Sequence, residues 1–195
     1  MNVLILGSEG FLGLNLSDKL QNSGLNVFRA NRSVLNFGDR NDAEILSTLI
    51  VELNPDIIIN AIGQIDTQED ATVTSLFNSI FLPTSLLFSH FRNVECAKKV
   101  SVLTFGSESE GQPRRRYPLY SALKTAEAAL IITAIDYFSN TNISWPRIKL
   151  PRLNGGLGSV DIQKELLPGI KSVDMVWDEV KAILGIIDNF GETNG

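Results

Sequence analysis

The first thirteen residues constrain the fold more than any other stretch of the chain. A short apolar run at residues 1–6 is followed directly by Gly7, Gly10 and Gly13 and then by a helical pattern. This order predicts a strand, a tight turn and a helix, in which glycine permits an unusual backbone conformation and close packing of helix on strand. The N–H groups and positive dipole end of the helix then suit an anion such as a diphosphate. Many turns contain glycine, so the flanking strand and helix favour a dinucleotide role over a purely structural turn.

Length and composition limit the remaining possibilities. The chain has 195 residues, 44% of them hydrophobic, which predicts a single globular domain over residues 1–195. Its net charge of −5 argues against nucleic-acid binding, and the run at residues 114–116 is the one basic exception. A single cysteine, Cys96, excludes an intramolecular disulfide, makes a cysteine-based metal site unexpected and favours a cytoplasmic location. We expect neither a signal peptide nor a membrane-spanning segment.

Strand-like and helix-like patterns alternate along the rest of the chain. Further strands are predicted at residues 26–30, 34–37, 57–59, 99–105 and 143–150, and further helices at residues 43–53, 73–91, 120–138 and 176–187. Pro83 is expected to interrupt the second of these helices, and Pro146 the last strand. Residues 151–169 are predicted to form a loop over the site, and residues 190–195 a rudimentary strand or a frayed end. The predicted fold is a doubly wound, Rossmann-type parallel sheet with helices on both faces, in three α/β/α layers.

The end of the second strand bears on the choice of ligand. In nucleotide folds of this type, a carboxylate at that point accepts hydrogen bonds from the adenosine ribose hydroxyls. Here the sequence reads Asn31-Arg32-Ser33, without a carboxylate. The guanidinium of Arg32 and the hydroxyl of Ser33 suit a 2′-phosphate, so NADP(H) is favoured over NAD(H). A solvated surface arginine is the alternative interpretation.

Four residues stand where a catalytic site is expected. Asn78 lies among apolar neighbours in a predicted helix, where its amide must find partners or serve a site. Ser107 follows a predicted strand, at the edge where α/β sheets bind ligands. Tyr120 and Lys124 are four residues apart and share one helix face. The one histidine, His90, has no such setting and is predicted to be a surface or helix-end residue.

Taken together, these features resemble the short-chain dehydrogenase/reductase family over nearly the whole chain. The matching residues are the three glycines of the turn, the Asn60-Ala61-Ile62-Gly63 stretch, Asn78, Ser107 and the Tyr120-x-x-x-Lys124 pair. Ser107 stands 13 residues before Tyr120, and Asn78 stands 29 before Ser107. The order and both spacings agree with the four-residue site of the family. Two ordinary residues at the start of a helix are the alternative interpretation of the Tyr-Lys pair.

The resemblance implies an oxidoreductase that transfers hydride to or from a small carbonyl or alcohol substrate. Tyr120 becomes the implied acid/base, because a nearby ammonium such as that of Lys124 favours a phenolate. Lys124 would also hold the nicotinamide ribose, while Ser107 would polarise the substrate carbonyl and Asn78 would support a water. Cofactor contacts are expected from Gly7, Ser8, Gly10, Phe11, Leu12, Gly13, Asn31, Arg32, Ser33, Asn36, Asn60, Ala61, Gly63, Lys124 and Pro151. No metal site is expected.

Quaternary structure is a further expectation from the same resemblance. The helices after Asn78 and Tyr120 carry small and apolar residues that could pair between subunits, as family members commonly do. We therefore expect a homodimer or homotetramer.

Departures from the family pattern leave two other functions open. The family usually has a Pro-Gly pair and a nearby threonine after the sixth strand, where this chain has Pro151-Arg152 and no such threonine. The stretch at residues 54–61 also resembles extended members that reduce or epimerise nucleotide sugars, but only 71 residues follow Lys124. The alternatives are therefore a nucleotide-sugar reductase or epimerase, and a catalytically silent dinucleotide-sensing protein.

Overall fold

Eight strands and six helices form within the residues that the computed structural model describes, which are 1–64, 72–112, 115, 117–153 and 170–186. The strands are β1 (Asn2–Leu6), β2 (Asn26–Ala30), β3 (Ile57–Asn60), β4 (Val100–Ser107), β5 (Ile143–Ser144), β6 (Arg147–Leu150), β7 (Arg152–Leu153) and β8 (Ile170–Lys171). The helices are α1 (Phe11–Asn22), α2 (Asp42–Leu53), α3 (Val73–Ile80), α4 (Leu82–Arg92), α5 (Pro118–Tyr137) and α6 (Val173–Leu184). None of the described helices is both long and apolar enough to cross a bilayer.

A six-stranded parallel sheet occupies the centre of the fold. Its order is β2-β1-β3-β4, and both β5 and β6 pair with β4. Leu6 lies beside Ala30 on one side and Asn60 on the other, so β1, β2 and β3 end level with one another. All of these pairings are parallel, which confirms the predicted Rossmann-type sheet.

Alternation along the central strands buries an apolar layer on each face of the sheet, because successive side chains of a strand point in opposite directions. One cluster joins Leu4, Leu6, Ile58 and Val102 to apolar residues of α2, α4 and α5. The other joins Val3, Ile5, Ile57, Ile59 and Leu103 to apolar residues of α1 and α6. The three-layer arrangement predicted from the sequence is therefore confirmed.

Both proline interruptions occur where they were expected. The predicted helix over residues 73–91 divides at Phe81 into α3 and α4, with Pro83 in the first turn of α4. The predicted strand over residues 143–150 divides into β5 and β6 around Trp145 and Pro146. Proline has no N–H to donate to a ladder, but the carbonyl of Pro146 still accepts the N–H of Thr104 at 3.1 Å.

The brief strand predicted at residues 34–37 is wrong. The N–H groups of Val34 and Leu35 both donate to the carbonyl of Asn31, which curls the segment into a turn. Leu35 is buried in the core, whereas Gly38 takes a φ of +114° that ends any extended run. The chain therefore passes from β2 to α2 through a compact loop, and β2 is left at the edge of the sheet. The loop predicted over residues 151–169 is wrong at Arg152–Leu153, which form β7 and pair in parallel with β8. The rest of that loop, residues 154–169, and the strand or frayed end predicted at residues 190–195 lie outside the described residues.

His90 lies in the last turn of α4, as predicted, and is half-buried. Its Nδ1 lies 2.8 Å from the hydroxyl of Ser47 on α2. Burial lowers the pKa of His90 below its usual value, because it disfavours the imidazolium. The folded chain thus binds fewer protons than the unfolded chain just below the ordinary histidine pKa of about 6.5.

Stability is therefore expected to fall as the pH falls from about 7 through the window between the unfolded and the lower folded pKa of His90. Urea unfolding of wild type and His90→Gln across this range measures the effect. The variant should lose the pH dependence of this window, and an equal slope in both proteins would contradict the prediction.

Candidate active site

The glycine turn between β1 and α1 is packed so closely that Gly7 and Gly13 have no room for a side chain. Gly7 has a φ of +77°, and an added Cβ would lie 2.8 Å from Cγ1 of Ile62. A Cβ on Gly13 would lie only 2.2 Å from the carbonyl oxygen of Gly7. Gly10 donates its N–H to the same oxygen at 3.1 Å, which closes the turn. The three glycines therefore bring the start of α1 against the end of β1, as the sequence predicts.

The start of α1 offers unused hydrogen-bond donors beside this turn. The first N–H groups of a helix have no partner within the helix. Those of Phe11, Leu12 and Gly13 have none elsewhere in the described part of the chain. Among the described residues, a Cβ on Gly10 would meet only the Gly7 carbonyl oxygen within 4 Å, at 3.3 Å. This turn fits the diphosphate of a dinucleotide in donor chemistry and in space.

The loop after β2 is held together by polar side chains. The Asn31 carbonyl Oδ1 accepts the N–H of Ser33 at 3.1 Å and its hydroxyl at 2.6 Å. The Asn31 amide group donates to a carboxylate oxygen of Glu9 at 2.9 Å. Arg32 is exposed and makes no ion pair with the described residues. Glu9, between the first two glycines, is a residue that the sequence patterns did not single out.

A buried polar network surrounds Lys124 on α5. Its ammonium donates to the carbonyl oxygen of Phe105 on β4 at 2.9 Å and to a carboxylate oxygen of Glu127 at 2.7 Å. Lys124 and Glu127 are only 5% and 2% exposed, so the ion pair is shielded from water. An ammonium has three N–H donors, of which these contacts use two. Lys124 is thus fixed at the carboxyl end of the sheet, and its third donor has no partner among the described residues.

The same network reaches the last residue of β3. The hydroxyl of Thr84 on α4 donates to the other carboxylate oxygen of Glu127 at 2.8 Å. The side-chain amide of Asn60 in turn donates to the Thr84 hydroxyl at 3.1 Å. Predicted residues Asn60 and Lys124 are therefore linked through Thr84 and Glu127, which the sequence patterns missed. The position of Glu127 three residues after Lys124 is the one local signal that could have revealed the pair.

Ser107 closes β4 beside a second charged pair. Its hydroxyl accepts the N–H of Ser109 at 3.1 Å, which leaves the hydroxyl proton available to donate. Its own N–H donates to the carboxylate of Glu110, which pairs with the guanidinium of Arg147. Gly106 makes room for this guanidinium, because a Cβ there would lie 2.4 Å from Nη2 of Arg147.

The other predicted site residues are distributed around the same end of the sheet. Asn78, on α3, faces the loop after β2, because an added Cβ on Gly38 would lie 2.1 Å from its Nδ2. Tyr120 is half-buried in the first turn of α5, one turn before Lys124. Ser8 is buried, Asn36 is exposed and its amide donates to Asp39, and Ala61, Gly63 and Pro151 follow β3 and β6. No direct hydrogen bond joins Asn78 to Lys124.

The sheet order, the glycine turn and the position of the Tyr-Lys helix agree with the resemblance found in the sequence, and solved short-chain dehydrogenases/reductases share this fold. Residues 1–75 match the family described as RmlD substrate binding domain. No curated protein matches the sequence.

Solved structures of this fold superpose on the chain at low sequence identity. A short-chain dehydrogenase from Burkholderia cenocepacia J2315 in complex with NADP has a TM-score of 0.73 and 15% identity, covering 96% of this chain and 85% of its own. A 4-hydroxyisoleucine dehydrogenase complexed with NADH has a TM-score of 0.73 and 16% identity, and the match covers 94% of this chain and 90% of that one. The L780 UDP-rhamnose synthase from Acanthamoeba polyphaga mimivirus has a TM-score of 0.56 and 18% identity, and the match covers 78% of this chain. The match spans only 57% of that synthase chain.

Proposed function

We propose that the chain is an NAD(P)-dependent oxidoreductase acting on a small carbonyl or alcohol substrate. The observation that carries this proposal is that two sets of groups lie at one edge of the sheet. The glycine turn with its unused N–H donors lies there, and so does the Lys124 ammonium at the end of β4. In open α/β sheets this edge is where ligands bind. Solved structures of the same fold hold NADP and NADH, which supports a nicotinamide dinucleotide here as well.

The side chains at this edge can perform acid/base chemistry. Bound nicotinamide would supply the hydride, and the protein supplies position and proton. The Ser107 hydroxyl proton, not needed for its bond with Ser109, would be donated to the substrate oxygen. Tyr120 would give its proton to the same oxygen in the reducing direction and take it back in the reverse one. The remaining donor of Lys124 would serve the phenol oxygen or the ribose hydroxyls.

Asn78 is assigned a supporting role within the same proposal. Its amide lies between α3 and the loop after β2 and makes no hydrogen bond with the described residues. It could therefore hold a water on the path between Lys124 and solvent. The departure at Pro151 affects the cofactor contacts after β6 rather than the proton chemistry.

We further propose that NADP(H) is preferred to NAD(H). Arg32 and Ser33 follow β2 and are exposed, and no carboxylate partner neutralises the guanidinium within the described chain. An arginine in this position can bind a 2′-phosphate through two parallel hydrogen bonds.

A nucleotide-sugar reductase or epimerase is the second candidate function. The match of residues 1–75 to the RmlD substrate binding domain favours it, as does the superposition on a UDP-rhamnose synthase. Turnover of a nucleotide sugar, or protection of the folded chain by one, would favour this candidate.

Replacing Tyr120 with phenylalanine separates an enzyme from a silent dinucleotide-binding protein. We expect the wild type to quench or enhance NADPH fluorescence on binding and to reduce some member of a panel of carbonyl compounds. Tyr120→Phe should bind NADPH with little change but lose about 10²- to 10⁴-fold in rate, because it lacks the proton donor. Tyr137→Phe, on the exposed end of the same helix, is the matched control. A wild-type chain that binds neither NADPH nor NADH would contradict the proposal.

Two expectations about the state of the protein accompany this function. We propose a homodimer or homotetramer, supported by apolar side chains exposed on α5 at Ile132 and Ile135. A cytoplasmic location is proposed because the single cysteine, Cys96, is a free thiol.

A further inference from the structure

The fold brings a carboxylate to the end of β2, although no acidic residue follows that strand directly in the sequence. Nothing acidic follows β2 directly, since the residues there are Asn31, Arg32 and Ser33. Pairing of β1 with β2 nevertheless brings the glycine turn alongside this point, and Gly7 donates its N–H to the carbonyl of Ala30 at 3.2 Å. Glu9 thereby reaches the end of β2, with its Oε1 2.9 Å from Nδ2 of Asn31.

We propose that Glu9 is a specificity-determining residue that accepts hydrogen bonds from the adenosine ribose hydroxyls and opposes a 2′-phosphate. This inference rests on the proposed function, because it assumes that a dinucleotide lies along the glycine turn. A carboxylate at the end of the second strand binds the ribose diol in nucleotide folds of this type. Glu9 supplies that group from the preceding loop instead of from the strand.

The hydrogen bonds around Glu9 fix its position without exhausting its acceptors. Asn31 is held by Ser33, whose N–H and hydroxyl both donate to Asn31 Oδ1. The Asn31 amide then presents one N–H to Glu9 Oε1, and Oε2 has no partner among the described residues. An ionised carboxylate can accept about four hydrogen bonds, so Glu9 can bind a ribose diol while it keeps Asn31.

Glu9 and Arg32 carry opposite charges and therefore have opposite effects on the affinity for a 2′-phosphate. Glu9 makes no ion pair within the described residues, so its negative charge is not locally cancelled. A phosphate in the same place would be repelled by Glu9 and attracted by Arg32. The NADP(H) preference assigned to Arg32 is therefore weakened by Glu9, and the balance of the two side chains sets the choice between the cofactors.

Glu9→Gln tests this assignment by removing the charge while keeping the size of the side chain. Affinities for NADPH and NADH are measured by fluorescence titration, without turnover, for wild type, Glu9→Gln and Arg32→Gln. Glu9→Gln should raise the NADPH-to-NADH affinity ratio about tenfold, and Arg32→Gln should lower it. The change with NADPH should shrink at high salt, because exposed charges are screened. Glu52→Gln, an exposed carboxylate on α2, is the matched control and should leave the ratio unaltered.

The outcomes separate this assignment from the function on which it rests. An unchanged ratio in Glu9→Gln, or an equal change in both affinities, would overturn the role of Glu9 while leaving dinucleotide binding intact. Failure of the wild type to bind either nucleotide would overturn both. Because Glu9 is exposed, the substitution is not expected to impair folding, and thermal unfolding of the variant checks this directly.

Discussion

Replacing Lys124 with methionine is expected to lower the free energy of unfolding by about 3–5 kcal/mol. The substitution leaves the Glu127 carboxylate buried with no cation to balance it, although Thr84 still donates to it. Glu127→Gln should cost a similar amount, because it leaves the Lys124 ammonium buried at 5% exposure without its counter-ion. Urea unfolding measured at neutral pH gives both values.

The double variant Lys124→Met/Glu127→Gln distinguishes a coupled pair from two independent residues. It removes both charges and keeps an oxygen that can accept from Thr84, so it should be far more stable than the sum of the single effects predicts. Strictly additive losses would show that the two charges do not depend on each other.

An exposed pair at the same spacing provides the control for this cycle. Asp178 and Lys181 on α6 are also three residues apart, at 3.3 Å, but the Asp178 side chain is 73% exposed. Asp178→Asn should therefore change stability by less than about 1 kcal/mol. The contrast between the two pairs isolates burial as the cause of the large effect.

Gly13→Ala is expected to destabilise the chain by about 3 kcal/mol and to abolish dinucleotide binding. Alanine normally favours a helix over glycine by about 1 kcal/mol, so a helix position alone predicts the opposite sign. The new Cβ would lie 2.2 Å from the Gly7 carbonyl oxygen and 3.1 Å from the Ser8 Cα. Both are backbone atoms that cannot turn aside as a side chain can, so α1 must move away from β1.

Gly63→Ala is the matched control for this substitution. Gly63 also follows a strand at the same edge, but a Cβ there would meet no described atom within 4 Å. Its stability should stay within about 0.5 kcal/mol of wild type. Thermal unfolding of the two variants and NADPH titration of Gly13→Ala against wild type test the argument, and a Gly13→Ala protein as stable as wild type would contradict it.

The parts of the fold predicted correctly are those written in local patterns. The apolar run before Gly7 and the β-branched run at residues 57–59 form strands because their neighbours in sequence already specify a buried extended segment. Pro83 and Pro146 act through their missing N–H, which depends on no distant residue. The strand predicted at residues 34–37 was wrong because apolar composition alone does not decide between a strand and a turn. The composition of these residues suits a strand, but hydrogen bonds to Asn31 and the conformation of Gly38 make a turn.

Only those residues of the candidate site that belong to a recognisable sequence motif could be predicted. Gly7, Ser107, Tyr120 and Lys124 stand in patterns of known spacing, whereas their partners do not. Glu127 receives its hydrogen bond from a threonine 43 residues earlier, and Glu9 meets an asparagine 22 residues later. Such contacts follow from sheet order and helix packing, so one sequence without its fold does not reveal them.

A loop takes the place of the strand expected after β2. One side of β2 therefore has no neighbouring strand among the described residues. An edge strand presents main-chain N–H and C=O groups that can join a strand of another molecule and so begin aggregation. Here the edge is only five residues long, and Arg29 within it is tied to Asp18 on α1. A short strand that carries a charge is a poor template for such growth. The sheet therefore has one strand fewer than predicted, and its β2 edge still does not favour aggregation.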